Sequence, residues 1–324
     1  MSLLSKPYFY DEAAAFKHVE AVLWPHGPVC FHCGSVEKHY RLANSRTKPS
    51  KKNPNGIERH GLYKCSDCRG QFTVRQGTIF EESHLPLHKW LQAMHLICSS
   101  KKGISAHQLH RTLECTYKTA WFLAHRIREA MKQNHTDKIG GFGKIVEADE
   151  TFVGTKIGFK RTRGAVHKMK VLSLVERGGN IRSFRLPMLS RIGIEKIIRD
   201  NVHPDSRIMT DTAAYYRNPL VGFLGHETVN HEQDEYVRGE AYTNTLEGFF
   251  SIFKRGMRGV YQHCREKHLH RYLAEFDFRY SNRVALGIGD EARTQRLLTG
   301  VVGKRLLYRD SSMWNTSSTI GSGL

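Results

Sequence analysis

Three acidic residues of this 324-residue chain stand in positions that suggest chemistry. Asp149 and Asp211 each end an apolar, strand-like run, IVEAD in the first case and RIMTD in the second. Side chains alternate along a strand, so a carboxylate at the end of such a run lies on or beside the core, where its charge is unfavourable unless it is compensated. Two such strands side by side would bring both carboxylates to one edge of a sheet.

The third acidic residue, Glu247, lies in TNTLEGFFSIFKRG, Thr243 to Gly256. Apolar residues recur there at helical spacing, which predicts an amphipathic helix with Glu247 at the border of its apolar face. Lys254 follows two turns later on the same side, about 10 Å along the axis. Acids from two strands and one helix could together hold two hard cations, with Mg²⁺ (or Mn²⁺) the expected ion.

Two such ions suit in-line displacement at phosphorus, because one activates the attacking water or 3′-hydroxyl and the other stabilises the leaving oxygen. Lys254 would contact the DNA phosphates near the metals. Other interpretations stay open: the two aspartates could be strand-end caps, and Glu247 with Lys254 a surface pair. Glu147 shares a strand face with Asp149 and competes for its role, and Glu150 flanks Asp149 as well.

A second metal site is predicted by two C-x-x-C pairs, Cys30 and Cys33 in CFHCG and Cys65 and Cys68 in CSDCRG, with residues 34–64 between them. Two such turns supply the four thiolates of a tetrahedral structural Zn²⁺ site. The segment has few large apolar residues, so we expect it to need the metal in order to fold.

Alternatives for these cysteines are a pair of disulfides or an iron-sulfur cluster, and His32 or His60 could compete as ligands. An odd total of seven cysteines is not typical of a secreted disulfide scaffold. The start, MSLLSKPYFYDEAAAF, lacks the apolar run of a secretory signal, and no window of about 18 apolar residues predicts a membrane span. We therefore expect a reducing cytoplasm and no membrane partner.

The charge of the chain predicts a polyanionic partner. Lys and Arg number 50 against 31 Asp and Glu, which gives a formal net charge of +19. A positive field of this size attracts phosphate backbones and repels acidic proteins. The alternative is a generally basic protein, such as a ribosome-associated one.

The elements that would position these groups differ along the chain. From about residue 81 to 135 the period is helical, and Ser105 and Thr116 predict two capped helix starts separated by a tight turn. They form a helix-turn-helix candidate in which Lys118 and Arg126 would contact DNA, and a plain helical hairpin packed on a neighbouring domain is the alternative. From residue 140 onward, short strand-like runs precede two helices, GIEKIIRDNV and TNTLEGFFSIFKRG, which predicts a mixed α/β domain.

The order ADETFVG, MTDTAAYY, NHEQDEYVRGEAYTNTLEGFFSIFKRGMRGVYQH and HLHRYLAEFDFRYSNR resembles the DDE transposases of small bacterial insertion sequences. It is most similar to the ISXO-like group, which joins an N-terminal zinc ribbon to the catalytic domain. The resemblance spans about residues 15–285 and implies Asp149, Asp211 and Glu247 as the catalytic, Mg²⁺-binding acids, with Lys254 as the following basic residue. Some members of the group use Asn for the third acid, so Asn244 is the alternative there.

The resemblance implies a ribonuclease-H-like fold, with a mixed sheet flanked by helices, Asp149 on its first strand, Asp211 on its fourth and Glu247 on a later helix. It also implies a transposase that acts on terminal inverted repeats and target DNA as a homodimer or larger assembly, in the bacterial cytoplasm at the nucleoid. Arg255 and the basic loop Thr155–Lys170 are further DNA-contact candidates. A non-catalytic DNA-binding regulator and a nuclease that cuts without joining are the alternative functions.

These predictions divide the chain into four parts. Residues 1–80 form an N-terminal region with the zinc ribbon, 81–138 a helical DNA-binding segment, 139–285 the catalytic domain, and 286–324 a C-terminal tail ending NTSSTIGSGL, expected to be partly disordered.

Overall fold

Four helices build a common core in the N-terminal part of the molecule. The computed structural model describes residues 3–51, 53–133, 136–156, 158–160, 164–216, 221–229 and 243–307. The helices are α1 (Glu12–Leu23), α2 (Leu87–Ser99), α3 (Ala106–Leu113) and α4 (Tyr117–Met131), and their apolar faces meet in one buried cluster. Side chains cap three of them: Asp11 begins α1, Ser105 accepts from the Gln108 amide, and Thr116 from the Thr119 amide.

A small antiparallel sheet lies between α1 and α2 in the chain. It contains β1 (His39–Arg41), β2 (Tyr63–Cys65) and β3 (Gln71–Phe72), in that order. Its separate core consists of Tyr63, Phe72 and two cysteines, with Trp24 packed beside it. So few apolar residues bury too little surface to hold a fold on their own, which is consistent with the predicted need for a metal.

The second half of the molecule is built on a five-stranded sheet. Its strands are β4 (Ile145–Val153), β5 (Met169–Glu176), β6 (Ile181–Leu186), β7 (Arg207–Asp211) and β8 (Gly225–Val229), in the spatial order β6-β5-β4-β7-β8. The first three strands pair antiparallel, and β7 and β8 run parallel to β4.

Helices cover both faces of this sheet. One face packs on α5 (Arg191–Asn201), and the other on α6 (Asn244–Gly256) and α7 (Leu269–Ser281). Residues alternate accordingly along β4, because Val146 and Ala148 face α5 and Val153 joins the core of α6 and α7. A mixed sheet with these connections and with helices on both faces is the ribonuclease-H-like arrangement, and the predicted fold class is confirmed.

The described part of the C-terminal segment corrects the expectation of a separate tail over residues 286–324. A further helix, α8 (Asp290–Thr299), returns to the N-terminal core, where Leu297, Leu298 and Val301 are buried against α1, α2 and α4. Burial of these apolar side chains holds the segment in place. The final stretch NTSSTIGSGL lies outside the described residues. None of the helices in the described ranges is long and apolar enough to cross a membrane.

Candidate active site and metal centre

Three carboxylates meet at the end of β7, beside the middle of β4, which continues past Asp149 to Val153. The side chains of Asp149, Glu150 and Asp211 each offer an oxygen within 4.8 Å of the others. The parallel pairing of the two strands explains this, because Glu147 lies opposite Met209, and the next residue on the same face of each strand is an aspartate. The structure therefore brings together Asp149 and Asp211, as the sequence predicts.

The electrostatics of this cluster favour a bound cation. Burial raises the pKa of Asp149 to about 8, and the neighbouring charges of Glu150 and Asp211 add to the increase. Glu247 contributes in the same direction, although less. A divalent cation would offset the repulsion between these carboxylates and so favour their ionised form. Carboxylate oxygens are also the ligands that Mg²⁺ prefers.

Glu150 is the member of the cluster to which the sequence analysis gave no role. It lies on the α5 face of the sheet and accepts hydrogen bonds from the phenols of Tyr215 and Tyr216, at 2.9 Å for Tyr216 Oη to Oε2. Burial raises its pKa. The adjacent tyrosines of TDTAAYY, just after Asp211, are the sequence signal that could have indicated it, since buried phenols need hydrogen-bond partners.

Glu147 does not belong to this cluster. It is fully buried and accepts from Arg177 Nε at 2.7 Å, Thr245 Oγ1 at 2.8 Å and the Leu246 amide at 3.1 Å. The N-cap residue of α6, Thr243, supplies no capping side-chain hydrogen bond. A carboxylate from β4 thus takes the place of a cap and ties the first turn of α6 to the strand that carries Asp149.

Glu247 lies in that first turn of α6 and is exposed, and Asn244 is the first residue of the same helix. The predicted apolar stripe is buried: Leu246, Phe249 and Phe253 pack against the sheet and α7. Glu247 lies outside the group of carboxylates within 4.8 Å of each other, but its charge reaches Asp149. The helix therefore presents Glu247 beside the two aspartates, at a greater distance than Glu150.

The four cysteines of the C-x-x-C pairs form a second cluster. Sγ of Cys30 lies 3.6 Å from Sγ of Cys68, and Sγ of Cys33 lies 3.6 Å from Sγ of Cys65. A tetrahedral Zn²⁺ with Zn–S bonds of about 2.3 Å has S···S distances of roughly 3.8 Å, so the four thiols fit this ion.

The two histidines that could compete as ligands point elsewhere. Nε2 of His32 lies 3.0 Å from the carbonyl oxygen of Gln71, and His60 lies 3.5 Å from a carboxylate oxygen of Glu58. Neither belongs to the group of potential metal ligands around the cysteines. The donor set is therefore four sulfurs, as predicted.

The structure separates the two DNA-contact candidates on α4. Lys118 is exposed in the first turn of this helix, the part that a recognition helix directs at base edges. Arg126 is only 6% exposed, donates to the carbonyl oxygen of Glu81 at 2.6 Å, and lies over the ring of Trp90. The expectation that Arg126 contacts DNA is therefore wrong, because packing of the second half of α4 buries its guanidinium.

Basic residues on α6 are available at the surface. Lys254 and Arg255 are both exposed in its last turn, where Arg255 also donates to Ser251. The basic loop Thr155–Lys170 is described only in part, since residues 157 and 161–163 lie outside the described ranges. Its described end, from residue 164, leads directly into β5.

Comparison with known proteins identifies two domains. Residues 139–281 match the family model of the ISXO2-like transposase domain, and residues 10–71 match that of the transposase zinc-ribbon domain. An uncharacterised protein in the transposable element ISH50 of Halobacterium salinarum is 27% identical over 294 residues, 84% of this chain and 91% of that protein. An uncharacterised transposase-like protein of Haemophilus influenzae is 28% identical over 97 residues, 30% of this chain and 77% of that protein.

Among solved structures, the crystal structure of a pre-cleavage Mos1 transpososome covers 61% of this chain and 78% of the matched chain. Its sequence identity is 9% and its TM-score is 0.17, a value too low to establish a shared fold.

Proposed function

The chain belongs to the ISXO2-like transposases with an N-terminal zinc ribbon, and on that basis we propose that it cleaves the terminal inverted repeats of an insertion sequence and joins the ends to target DNA. The observation that carries this proposal is the meeting of Asp149 and Asp211 on the same face of two paired parallel strands. Paired carboxylates on neighbouring strands are the ligands that metal-dependent phosphoryl transfer requires.

The residues present fit a divalent ion, because their oxygens lie close together and burial with mutual repulsion disfavours their ionisation. We assign Asp149, Asp211 and Glu247 as ligands of two Mg²⁺ ions. Bound there, such ions would lower the pKa of an attacking hydroxyl and stabilise the leaving oxygen. Glu147 fixes the helix that carries Glu247, and Lys254 is a phosphate contact two turns further along it.

The reaction has two steps at phosphorus. In the first, a water oxygen attacks a phosphodiester at the end of the element, the P–O3′ bond breaks, and the released 3′-oxygen takes up a proton. In the second, that 3′-hydroxyl loses its proton and attacks a target phosphodiester, displacing the 3′-oxygen of the adjoining target nucleotide.

DNA recognition would use the elements outside the catalytic domain. The zinc ribbon, held by Zn²⁺ on its four cysteines, and the pair α3–α4 with exposed Lys118 supply a basic surface for the terminal repeats. Arg255 adds a phosphate contact beside Lys254. Because two ends of one element must be handled together, we propose that the protein acts as a homodimer or larger assembly on DNA.

A strand-transfer assay tests the proposal. Labelled duplexes carrying the terminal repeats, target DNA and Mg²⁺ should yield joined product with the wild-type protein. Asp149→Asn, Asp211→Asn and Glu247→Gln should each abolish cleavage and joining while leaving the affinity for the repeats unchanged, because these residues hold metal rather than DNA. Lys196→Ala, a charge removal on the exposed side of α5, is the matched control and should retain full activity.

The other outcomes distinguish the alternative functions. Cleavage without joining would indicate a nuclease, and binding with neither reaction would indicate a regulator. Joining retained in Glu247→Gln but lost in Asn244→Ala would move the third ligand to Asn244.

A further inference from the structure

A cavity of about 820 Å³ lies between the end of β4, the start of β5 and the C-terminal end of α6 with the turn that follows it. We call this cavity the basic groove. Its cationic side chains are Lys168, Lys254, Arg258 and Arg265. Among its lining residues, all of which the structure describes, none carries a carboxylate.

The charges of the groove are not neutralised from within. In the described ranges, the side chains of these four residues make no ion pair with a carboxylate. The neighbouring acid, Glu266, is directed elsewhere, since it lies 3.9 Å from Lys156 and 3.9 Å from Arg185. Four like charges gathered around one cavity repel each other, so an anionic ligand would stabilise the arrangement.

A buried histidine in the same groove has a ring nitrogen without a partner. His167 is 7% exposed, and its Nδ1 is buried with no hydrogen-bond partner among the described residues. An unsatisfied buried nitrogen is unfavourable, and buried polar atoms nearly always have a partner in a native protein. A ligand with hydrogen-bonding oxygens would complete this site.

The wall opposite the histidine has an unusual backbone. Residues Met257–Tyr261 form a π-helical turn directly after α6, and Gln262 follows with φ of +54°. Single π-turns and left-handed non-glycine residues occur disproportionately at functional sites, because the strain persists only where the surroundings impose it. Here the hydrogen bond from Tyr261 to buried Glu275 holds the turn in place.

The position of the groove identifies its occupant. Both of its main walls also carry the acids. Glu147 contacts the start of α6, and Val153 lines the same cavity as Lys254 near the end of α6, so β4 and α6 run in the same direction. Along α6 the step from Glu247 to Lys254 is about 10 Å, and along β4 the step from Asp149 to Phe152 is about the same. Three nucleotides, at a rise of about 3.4 Å each along the duplex axis, are the upper limit for this distance, because neighbouring phosphates of one strand lie further apart than the axial rise.

We propose that the basic groove binds the phosphate backbone of the reacting DNA strand within about three nucleotides of the phosphate that is cleaved. Lys168, Arg258 and Arg265 neutralise its phosphates, and Nδ1 of His167 hydrogen-bonds to a phosphate oxygen. The inference rests on the proposed function and extends it by assigning a path to the DNA beyond the catalytic acids.

The first test measures binding rather than chemistry, so that it is independent of the proposed reaction. The affinity of the full-length protein for a mixed-sequence duplex of about 30 base pairs is measured over a range of salt concentrations without added Mg²⁺. Arg258→Ala and Lys168→Ala should each reduce the slope of log K against log salt by about 0.9, because each contacts one phosphate. Arg258→Lys should keep the slope, and Arg191→Ala, an exposed arginine on α5, should leave it unchanged.

His167→Phe has a different expected result. It removes the ring nitrogen and keeps the bulk of the side chain, so the affinity should fall roughly tenfold with no change in the salt slope.

The second test places single neutral methylphosphonates along each strand. In the wild type, a methylphosphonate at one position within about three nucleotides of the cleavage site should weaken binding, and in Arg258→Ala the same methylphosphonate should have no further effect.

Unchanged salt slopes in both Arg258→Ala and Lys168→Ala would overturn the groove assignment, whatever the strand-transfer assay gives. Equal methylphosphonate effects in wild type and Arg258→Ala would overturn it as well. Conversely, lowered slopes in a protein that joins no DNA would retain the groove and refute the proposed reaction.

Discussion

At the scale of single residues, Glu147 shows how a buried charge can serve a site that it does not enter. Its carboxylate takes part in one ion pair and two hydrogen bonds, and two of these three contacts reach the first turn of α6. A substitution that shifts this turn also shifts Glu247. Glu147 is therefore a positioning residue, and its effect on activity should pass through the geometry of the metal site.

We expect Glu147→Gln to lower the rate of cleavage at least tenfold and to raise the Mg²⁺ concentration needed for half-maximal activity, because α6 loses its charged anchor. The free energy of unfolding should fall by about 1–3 kcal/mol, since the variant loses the buried ion pair of Glu147 with Arg177. Mg²⁺ titrations of the cleavage rate and denaturant unfolding measure both effects.

Glu227→Gln is the matched control for this prediction, because Glu227 forms a partly exposed ion pair with Arg207 in the same sheet. It should leave the Mg²⁺ requirement unchanged. A loss of stability in Glu147→Gln with an unaltered Mg²⁺ requirement would show that Glu147 stabilises the fold but does not position the metal site.

At the scale of elements, the zinc ribbon depends on its ion. Cys65→Ser should release Zn²⁺ and unfold residues 30–72, since the core of this sheet consists of only a few side chains. Elemental analysis should give one Zn²⁺ per chain for the wild type and none for the variant, and limited proteolysis should cut the ribbon first. Cys115→Ser, outside the cluster, should retain the ion. Full Zn²⁺ content in Cys65→Ser would contradict the four-sulfur site.

Helix α6 offers a matched pair of glycines. A Cβ on Gly256 would come within 2.6 Å of the carbonyl oxygen of Lys102 and 2.5 Å of the Phe276 ring, whereas a Cβ on Gly248 would meet nothing within 4 Å. Gly256→Ala should destabilise the protein by about 1–3 kcal/mol, because the core cannot accept the added volume without shifting. Gly248→Ala should stabilise it by about 0.5–1 kcal/mol, because alanine is the better helix former.

Thermal and denaturant unfolding of the two variants measure the difference. Equal stabilities would mean that α6 is free to shift at its C-terminal end, which the close approach of Gly256 to Lys102 argues against.

The sequence was most informative about elements whose burial has a clear period. The strand runs around Asp149 and Asp211 were predictable as short continuous apolar runs, because helices cover both faces of the sheet. The stripe of α6 was predictable because one-sided burial leaves helical spacing in the residues. Strand β8, GHETV, has only one buried residue and no such period. The role of Arg126 was not predictable, since tertiary packing and not composition decides which arginines of a helix are buried.

The site was predictable to a similar extent. The meeting of the aspartates was predictable from two strand-like runs that each carry an acid, although β4 continues past Asp149 to Val153, and the cysteine cluster was predictable from its spacing. The separation of Glu147 from Glu150 required the structure, because it depends on what packs against each face of β4. In the structure, the carboxylate of Glu147 accepts hydrogen bonds from Thr245 and Leu246, whereas that of Glu150 accepts from a pair of tyrosines.

At the scale of the whole molecule, Glu275 joins the two halves. From α7 it accepts hydrogen bonds from Arg128 on α4, at 2.6 Å, from Arg279 on its own helix, and from Tyr261 at the basic groove. Burial alone would raise the pKa of Glu275, but the charges of Arg279 and Arg128 outweigh it and lower the pKa to about 2. This buried carboxylate therefore links the candidate DNA-binding helices to the catalytic domain, beside other contacts between α4 and α7 such as the ion pair of Glu129 with Arg271.

Glu275→Gln should lower the free energy of unfolding by about 3–5 kcal/mol, because two arginines stay buried without a counter-charge. Glu195→Gln removes the equivalent partner of Arg199 from an exposed pair of the same i,i+4 spacing and should cost about 0.5 kcal/mol or less. Denaturant unfolding compares the two variants. Similar losses would show that the buried network contributes no more than a surface pair.

The pH dependence follows from the same network. A carboxylate with a lowered pKa stabilises the folded state above its unfolded pKa, near 4.5, and this contribution disappears as the pH falls toward 2. The wild type should therefore lose stability between about pH 4.5 and 2, and Glu275→Gln should lose less over this range. Unfolding curves measured at several pH values give both slopes.

The return of α8 to the N-terminal core has a consequence for synthesis. Leu297, Leu298 and Val301 complete the packing that α1–α4 begin, yet they are made about 160 residues after α4. At about 5–20 residues per second, a ribosome needs roughly 8–30 s to cover that interval. During this time the nascent helices α1, α2 and α4 lack one side of their core. A chain truncated within the catalytic domain would never close it and would leave the apolar faces of these helices exposed.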